Sequence, residues 1–276
     1  MFASFLLALR EGIEAALIVG IVFGILKKMD KPHLKGMVWR GVAAALAFSI
    51  LSAIILNVIG AEFEGKAEQI FEGFAMLSAA VLLTWAIFWM RHQSVNMEKD
   101  LEQDVRAAAN STSGGVLFAL VFLAVAREGL ELAIFLLAAR LTSSALLTYL
   151  GATIGLLLAA GLGWLLFNST RKLNLRQFFR ITNLLLILFA AGMVGYGVHE
   201  FNEAGWIPSI VDHFYDINFV LNENSTFGLL VKALFGYNGN PSLSESIAYI
   251  GYLLVLAMTT LILPKSPRKI RQSISN

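Results

Sequence analysis

Seven long apolar segments dominate this chain and restrict how it can fold. They cover about 2–26, 38–59, 70–90, 115–139, 145–167, 179–199 and 246–263. A helix needs roughly 20 mainly apolar residues to cross the hydrocarbon core of a bilayer. Only helices and closed barrels satisfy every backbone polar group there, so apolar segments of this length predict spanning helices. We therefore expect an all-α polytopic membrane protein with seven transmembrane helices.

Composition supports this expectation and excludes several classes of protein. Only 14% of the 276 residues are charged and 57% are hydrophobic, whereas a soluble domain carries about 25% charged residues. No polar stretch is long enough to build a core of its own, so 1–276 is expected to form a single transmembrane domain. The net charge of +2 is too small to indicate a nucleic-acid partner, and the lack of cysteine excludes thiolate metal sites.

Basic residues orient the predicted spans, because Lys and Arg are retained in cytoplasmic loops. Most of the 21 basic residues fall in the joints after spans one, three and five and in the tail at 264–276. The opposite side carries only Lys66, Arg140 and Lys232. The amino terminus is thus expected outside and the carboxyl tail inside, with 201–245 as an outer loop before the seventh span at 246–263.

Two of the predicted spans carry the same charged motif. Span one contains REGIE at 10–14, and span four contains REGLE at 127–131. A weaker echo relates AEQIFEGFA at 67–75 to LRQFFRITN at 175–183, so two three-span repeats are predicted at 1–92 and 115–200. Three crossings are an odd number, so the second repeat must be inverted. Inverted repeats are typical of secondary transporters, whose binding sites form where the repeats meet.

Helical spacing places the charged side chains of each motif on one face. Arg10, Glu11 and Glu14 fall within an arc of about 100°, and Gly12 points away from them, where a neighbouring helix can approach closely. The second motif repeats this arrangement at Arg127, Glu128, Gly129 and Glu131. Both motifs lie about 8–12 residues from the outer end of their spans, so they are expected at one depth near the middle of the membrane.

The charges of the two motifs do not cancel, because four glutamates face two arginines. A charge at the bilayer centre costs about 2.5–3.5 kcal/mol on insertion scales, so these side chains should face one another or a wet cavity. Hard cations prefer carboxylate oxygens and would balance the excess. The motifs therefore predict a metal site with charge-pairing arginines, formed by Glu11, Glu14, Glu128 and Glu131 with Arg10 and Arg127.

Other interpretations of the motifs stay open. Arg–Glu pairs alone would give a membrane scaffold, although that role leaves the surplus of glutamates unexplained. Four glutamates on two helices superficially suit an intramembrane di-iron carboxylate oxidase, but the usual Glu-x-x-His partner is missing and no histidine lies near either motif. A transporter of another divalent metal, such as Mn²⁺, is a third alternative.

The doubled R-E-G-x-E in spans one and four resembles the oxidase-dependent high-affinity iron permease family, in its bacterial branch. The resemblance covers the whole chain. It implies that the chain is a transporter and not an enzyme. Such a transporter imports iron across the inner membrane, and the motif glutamates are its iron-handling residues. The transported substrate is then iron. It is supplied as Fe²⁺, and its oxidation to Fe³⁺ during uptake is left open. No tightly bound cofactor is expected.

The same family has an outer Glu-x-x-Glu, which EFNE matches here at Glu200 and Glu203. His199 precedes this pair, and its imidazole would complete an outer iron site. A solvated loop with an interfacial histidine is the alternative. Besides membrane lipid, the resemblance implies periplasmic cupredoxin-like and haem-peroxidase partners, and it leaves the oligomeric state open.

One polar segment between spans three and four also has a regular pattern. VNMEKDLEQDVRAAA at 95–109 predicts an amphipathic cytoplasmic helix, which we interpret as a solvated connector.

Overall fold

The computed structural model describes residues 1–61, 64–93, 97–111, 114–141, 143–168, 175–211, 214–223 and 225–262. Within these ranges the chain forms α-helices, turns and one short 3-10 helix at Pro32–Leu34, and it contains no strand. The α-helices are α1 Phe2–Lys28, α2 Lys35–Ala61, α3 Lys66–Gln93, α4 Met97–Asn110, α5 Gly114–Leu141, α6 Ala145–Asn168, α7 Leu175–Glu203, α8 Thr226–Phe235 and α9 Leu243–Ile262. The prediction of an all-α chain is confirmed, and the tail at 264–276 lies outside the described residues.

Within the part of the chain that the structure describes, four helical stretches are long and apolar enough to cross a membrane: Pro32–Val58, Lys66–Phe88, Ala145–Leu166 and Gln177–Glu203. A shorter apolar stretch covers Leu243–Thr259 in α9. The helices α1 and α5 have 27 and 28 residues, but the three charges of a motif interrupt the apolar run of each. Among the described residues, seven long helices therefore coincide with the seven predicted segments, while the number of crossings and their orientation remain predictions.

The outer surface of the helices is apolar, as a lipid environment requires. Large side chains such as Ile50 of α2, Leu123 of α5 and Trp164 of α6 are at least 60% exposed. Soluble monomers rarely expose contiguous apolar surface on this scale. Together with the four apolar helices, this surface indicates a multi-pass membrane protein.

The helices pack in pairs that exchange partners between the predicted repeats. α1 lies along α6, α2 along α5, and α3 along α7. The first two pairs are parallel. Met1 lies beside Gly151 and Ala16 beside Gly163, so α1 and α6 run in the same direction. Met37 lies beside Gly114, so α2 and α5 begin at the same end of the bundle. The first helix of each predicted repeat thus packs along the second helix of the other.

α1 and α5 run in opposite directions. Leu7 near the start of α1 shares a buried apolar cluster with Phe135 near the end of α5. Val22 near the end of α1 shares a second cluster with Leu117 near the start of α5. The middle parts of the two helices, which carry the charged motifs, are consequently brought side by side.

α4 differs from its sequence-based interpretation as a solvated connector. Val105, Ala108 and Ala109 are at most 5% exposed, and they pack with the apolar residues of α1 and α5 in the second cluster. The interpretation is wrong for this face of the helix, since apolar residues three and four apart form a stripe that the ends of α1 and α5 bury.

Candidate metal site

The structure brings the two charged motifs together between α1 and α5. Glu11, Glu128 and Glu131 each offer a carboxylate oxygen, and these oxygens all lie within 4.8 Å of one another. Glu11 and Glu128 are 2% and 5% exposed, and Glu131 is half-buried. Carboxylate oxygens at this spacing form a donor set that suits a hard cation. We call these three residues the buried triad.

Arg10 is fully buried and holds the first motif together. Its Nη1 lies 3.3 Å from Oε1 of Glu11, and its Nε lies 3.1 Å from Oε1 of Glu14. Glu14 pairs with Arg10 one helical turn away and is not among the residues whose oxygens converge. The structure thus brings together three of the four predicted glutamates and places the fourth beside the arginine.

The second motif differs from the first in where its arginine points. Nε of Arg127 donates a hydrogen bond of 2.9 Å to Oε1 of Glu131, as the spacing of four residues predicted. Its guanidinium lies over the ring of Trp85 in α3, 5.9 Å from the ring centroid, and the side chain is 36% exposed. The two motifs are therefore equivalent in sequence, but only Arg10 is enclosed within the bundle.

The carboxylate of Glu11 is the most deeply buried of the triad. Both of its oxygens are buried without a hydrogen-bond donor among the described residues, and the 3.3 Å ion pair with Arg10 lacks hydrogen-bond geometry. A buried charged group is costly unless it is paired, hydrogen-bonded or bound to a metal. Oxygens of this kind, directed toward two further carboxylates, are suited to metal coordination.

The glycine of each motif lies where a second helix approaches. A Cβ atom on Gly12 would lie 2.7 Å from Cβ of Ala159 in α6, and a Cβ on Gly129 would overlap Ser49 in α2. These contacts confirm the predicted close approach at the glycine. A larger residue would push α6 or α2 away and disturb the side chains on the opposite face of the motif helix.

The predicted outer pair lies at the end of α7, where α3 begins. Oε1 of Glu203 is 3.2 Å from Nε2 of His199, and Oε2 accepts a hydrogen bond of 2.9 Å from Nε2 of Gln69. Glu200 interacts electrostatically with Glu72, and the same group contains Glu68. Glu200 and Glu203 thus lie near two glutamates of α3, and both oxygens of Glu203 already have protein partners. We call Glu200, Glu203, His199, Glu68 and Glu72 the outer group.

Glu245 is the residue at this outer group whose role the sequence analysis missed. Its Oε1 lies 2.8 Å from Nδ1 of His199 and accepts the backbone N–H of Ser242, whereas Oε2 accepts a hydrogen bond from Asn238. The backbone N–H of Glu245 donates in return to Oγ of Ser242 at 3.2 Å. This is a capping box at the start of α9, and the sequence SLSE at 242–245 carries its signal.

Comparison with known proteins agrees with the motif. The chain matches the family model described as the Iron permease FTR1 family over residues 1–266. It is 40% identical over 266 residues to the ferrous iron permease EfeU of Escherichia coli (strain UTI89 / UPEC), which covers 96% of this chain and 96% of that protein. It is 36% identical over 268 residues to the ferrous iron permease EfeU of Yersinia pestis, which covers 96% of this chain and 95% of that protein.

No solved structure matches the chain. The family model and these relatives cover nearly all of it, including both charged motifs. The chain therefore belongs to the Iron permease FTR1 family, as the doubled R-E-G-x-E predicted.

Proposed function

We propose that this chain imports iron across the bacterial inner membrane through the buried triad of α1 and α5. The observation that carries the proposal is the convergence of carboxylate oxygens from Glu11, Glu128 and Glu131 within 4.8 Å. Family membership supports iron as the transported metal. The relatives are named ferrous iron permeases, which supports Fe²⁺ as the form that is supplied.

The helix pairing supports an inverted-repeat transporter with its site at the repeat interface. α1 and α5 are antiparallel, and each packs along the second helix of the other predicted repeat. A two-fold relation between the repeats would produce this exchange of partners. Transporters of this design bind their substrate near the midplane where the repeats meet.

The outer group supplies a first contact for the cation. Glu200, Glu203 and His199 lie at the end of α7 with Glu68 and Glu72 of α3. Carboxylates concentrate cations at a surface, and an imidazole adds a nitrogen ligand. An arriving cation would replace the contacts that Gln69 and His199 make with Glu203. Periplasmic cupredoxin-like and haem-peroxidase partners, as part of this proposal, would deliver iron here.

Between the outer group and the buried triad lies a layer of apolar side chains. Met76 follows Glu72 by one turn on α3, Leu7 precedes Glu11 by one turn on α1, and Phe135 follows Glu131 by one turn on α5. All three are at most 1% exposed and belong to one buried cluster. This layer separates the two carboxylate groups, so we propose a gated route and not an open channel.

A di-iron oxidase is less well supported. The buried triad consists of glutamates alone within the described residues, whereas di-iron carboxylate proteins add histidines in Glu-x-x-His motifs. Carboxylates alone do not separate Fe²⁺ from Mn²⁺, so the choice of metal needs a direct test.

Reconstitution in liposomes with an internal metal reporter tests the proposal. Fe²⁺, Fe³⁺, Mn²⁺ and Zn²⁺ are offered in turn, and we expect iron influx in the wild type. Loss of a supporting residue around a metal typically costs 10–100-fold, so Glu11→Gln, Glu128→Gln and Glu131→Gln should each lower iron influx by at least about that factor. Glu14→Gln should lower it less, because Glu14 contacts Arg10 and not the triad oxygens.

Glu64→Gln is the matched control, since Glu64 is exposed before α3 begins and should leave influx unchanged. Each variant is checked for folding by size-exclusion chromatography. Normal iron influx in folded Glu11→Gln and Glu131→Gln would rule out the triad, whereas a wild type without iron influx would rule out the function.

A further inference from the structure

α4 is a short amphipathic helix whose apolar face is already occupied. It has 14 residues. Val105, Ala108 and Ala109 are buried, whereas the opposite face carries an exposed ion pair of 2.7 Å between Arg106 and Glu102. These three side chains are small, and the partly buried Leu101 packs beside them.

The partners of α4 are the two helices that carry the charged motifs. α4 packs on α1 and on α5, and its buried residues share one apolar cluster with Val22 and Ile25 near the end of α1 and with Leu117 near the start of α5. Val22 lies eight residues after Glu14, which is about 12 Å along the helix. α4 thus bridges the two helices that carry the buried triad, at the end of the bundle opposite the outer group.

A side chain from the turn between α1 and α2 fixes the end of α4. Nζ of Lys31 donates hydrogen bonds of 2.7 Å to the backbone carbonyl of Ala109 and 2.8 Å to Oδ1 of Asn110. Carbonyls in the last turn of a helix lack partners within the helix, and a lysine there also complements the negative end of the helix dipole. Lys31 therefore acts as a latch between α4 and the α1–α2 turn.

We propose that α4 is the inner gate of the permease. It covers the end of the contact between α1 and α5 on the side predicted to face the cytoplasm, and it must lift from these two helices before the cation leaves the triad. Lys31 holds the closed position. The proposal rests on the proposed function, since it assigns the exit step of the same site.

Cross-linking the latch tests the gate. The chain has no cysteine, so Lys31→Cys with Asn110→Cys introduces the only reactive pair. The double variant without cross-linker has lost both latch hydrogen bonds, and we expect iron influx several-fold above the wild type. After treatment in detergent with a short bis-maleimide and reconstitution, influx should fall at least tenfold below the untreated double variant.

The two single-cysteine variants, treated with the same reagent, are the matched controls and should retain their influx. Mass spectrometry measures the cross-linked fraction. Full influx through a completely cross-linked double variant would overturn the gate while leaving the proposed function intact.

Labelling of the buried face tests the same movement without measuring transport. In lipid nanodiscs, Val105→Cys should react slowly with a maleimide, and addition of Fe²⁺ should raise its rate several-fold as α4 lifts. Ala107→Cys lies on the exposed face of the same helix and should react at one rate throughout. A Val105→Cys rate that is fast from the start, or unchanged by Fe²⁺ in a protein that carries iron, would overturn the proposal. A wild type without iron influx would reject the proposed function and the gate with it, whereas iron influx with an unchanged labelling rate would reject the gate alone.

Discussion

At the scale of single residues, the glycine of each motif shows how one side chain can set the position of two helices. Gly12 and Gly129 lie on the face of α1 and α5 that points away from the carboxylates. Each permits a neighbouring helix to approach closely, α6 in one case and α2 in the other. The glycine thus determines helix separation, while the glutamates of the same motif lie on the other face of the helix.

Gly129→Ala should lower stability because its Cβ would overlap Ser49. Overpacking of this kind costs about 1–3 kcal/mol, which should appear as a lower midpoint of thermal unfolding in detergent. Adding Ser49→Gly to Gly129→Ala should restore part of the loss, because it removes the side chain that collides.

Gly24→Ala is the matched control, since a Cβ at Gly24 meets nothing within 4 Å. That change should be neutral or slightly stabilising, because alanine favours a helix by about 1 kcal/mol over glycine. Equal midpoints for Gly129→Ala and Gly24→Ala would contradict the role assigned to the close contact.

At the scale of secondary-structure elements, the start of α9 is fixed by side chains that also contact α7. Ser242 and Glu245 form the capping box, and Glu245 in addition contacts His199. The helix is thereby attached to the outer group at the end of α7. Because caps satisfy backbone N–H groups that have no partner within the helix, they contribute directly to stability.

Ser242→Ala should therefore destabilise the protein by about 0.5–2 kcal/mol, the usual range for loss of an N-cap. Thermal unfolding in detergent measures the effect. Ser52→Ala is a suitable control, because Oγ of Ser52 is exposed and donates only to the carbonyl of Phe48 within its own helix. If both variants unfold at the wild-type temperature, the capping box does not contribute to the stability of the protein.

At the scale of the whole molecule, the distribution of basic residues predicts how the chain is oriented in the membrane. Five Lys and Arg residues lie around the joint from α1 to α2, and three lie around the joint from α3 to α5, whereas the joint before α3 carries Lys66 alone. Retention of Lys and Arg in the cytoplasm predicts that Lys35 lies inside and Lys66 outside. This orientation places the outer group toward the periplasm and α4 toward the cytoplasm.

Single cysteines test this orientation, since the chain has none of its own. In intact cells, a membrane-impermeant maleimide should label Lys66→Cys and leave Lys35→Cys unlabelled until the membrane is permeabilised. Both positions are exposed in the structure, so reactivity depends on the side of the membrane. The opposite labelling pattern would show that the chain is inserted the other way.

The sequence by itself determined the long apolar helices, the amphipathic helix α4 and the residues of both charged motifs. Apolar length and helical spacing are local properties, and they already placed Arg10, Glu11 and Glu14 on one face. The capping-box sequence SLSE at 242–245 is equally local, and it lies in the polar segment just before the last apolar span. The doubled motif is also a local feature of the sequence, and it was enough to predict the family.

Only the tertiary structure decided which carboxylates meet. Arg10 pairs with Glu14 and leaves Glu11 to converge with Glu128 and Glu131, and this choice depends on side chains from two helices far apart in sequence. The position of α4 was decided in the same way, because an amphipathic stripe indicates that a helix has an apolar partner but not which partner. Here that partner is the end of α1 together with the start of α5, since these two helices form the apolar surface against which Val105 is buried.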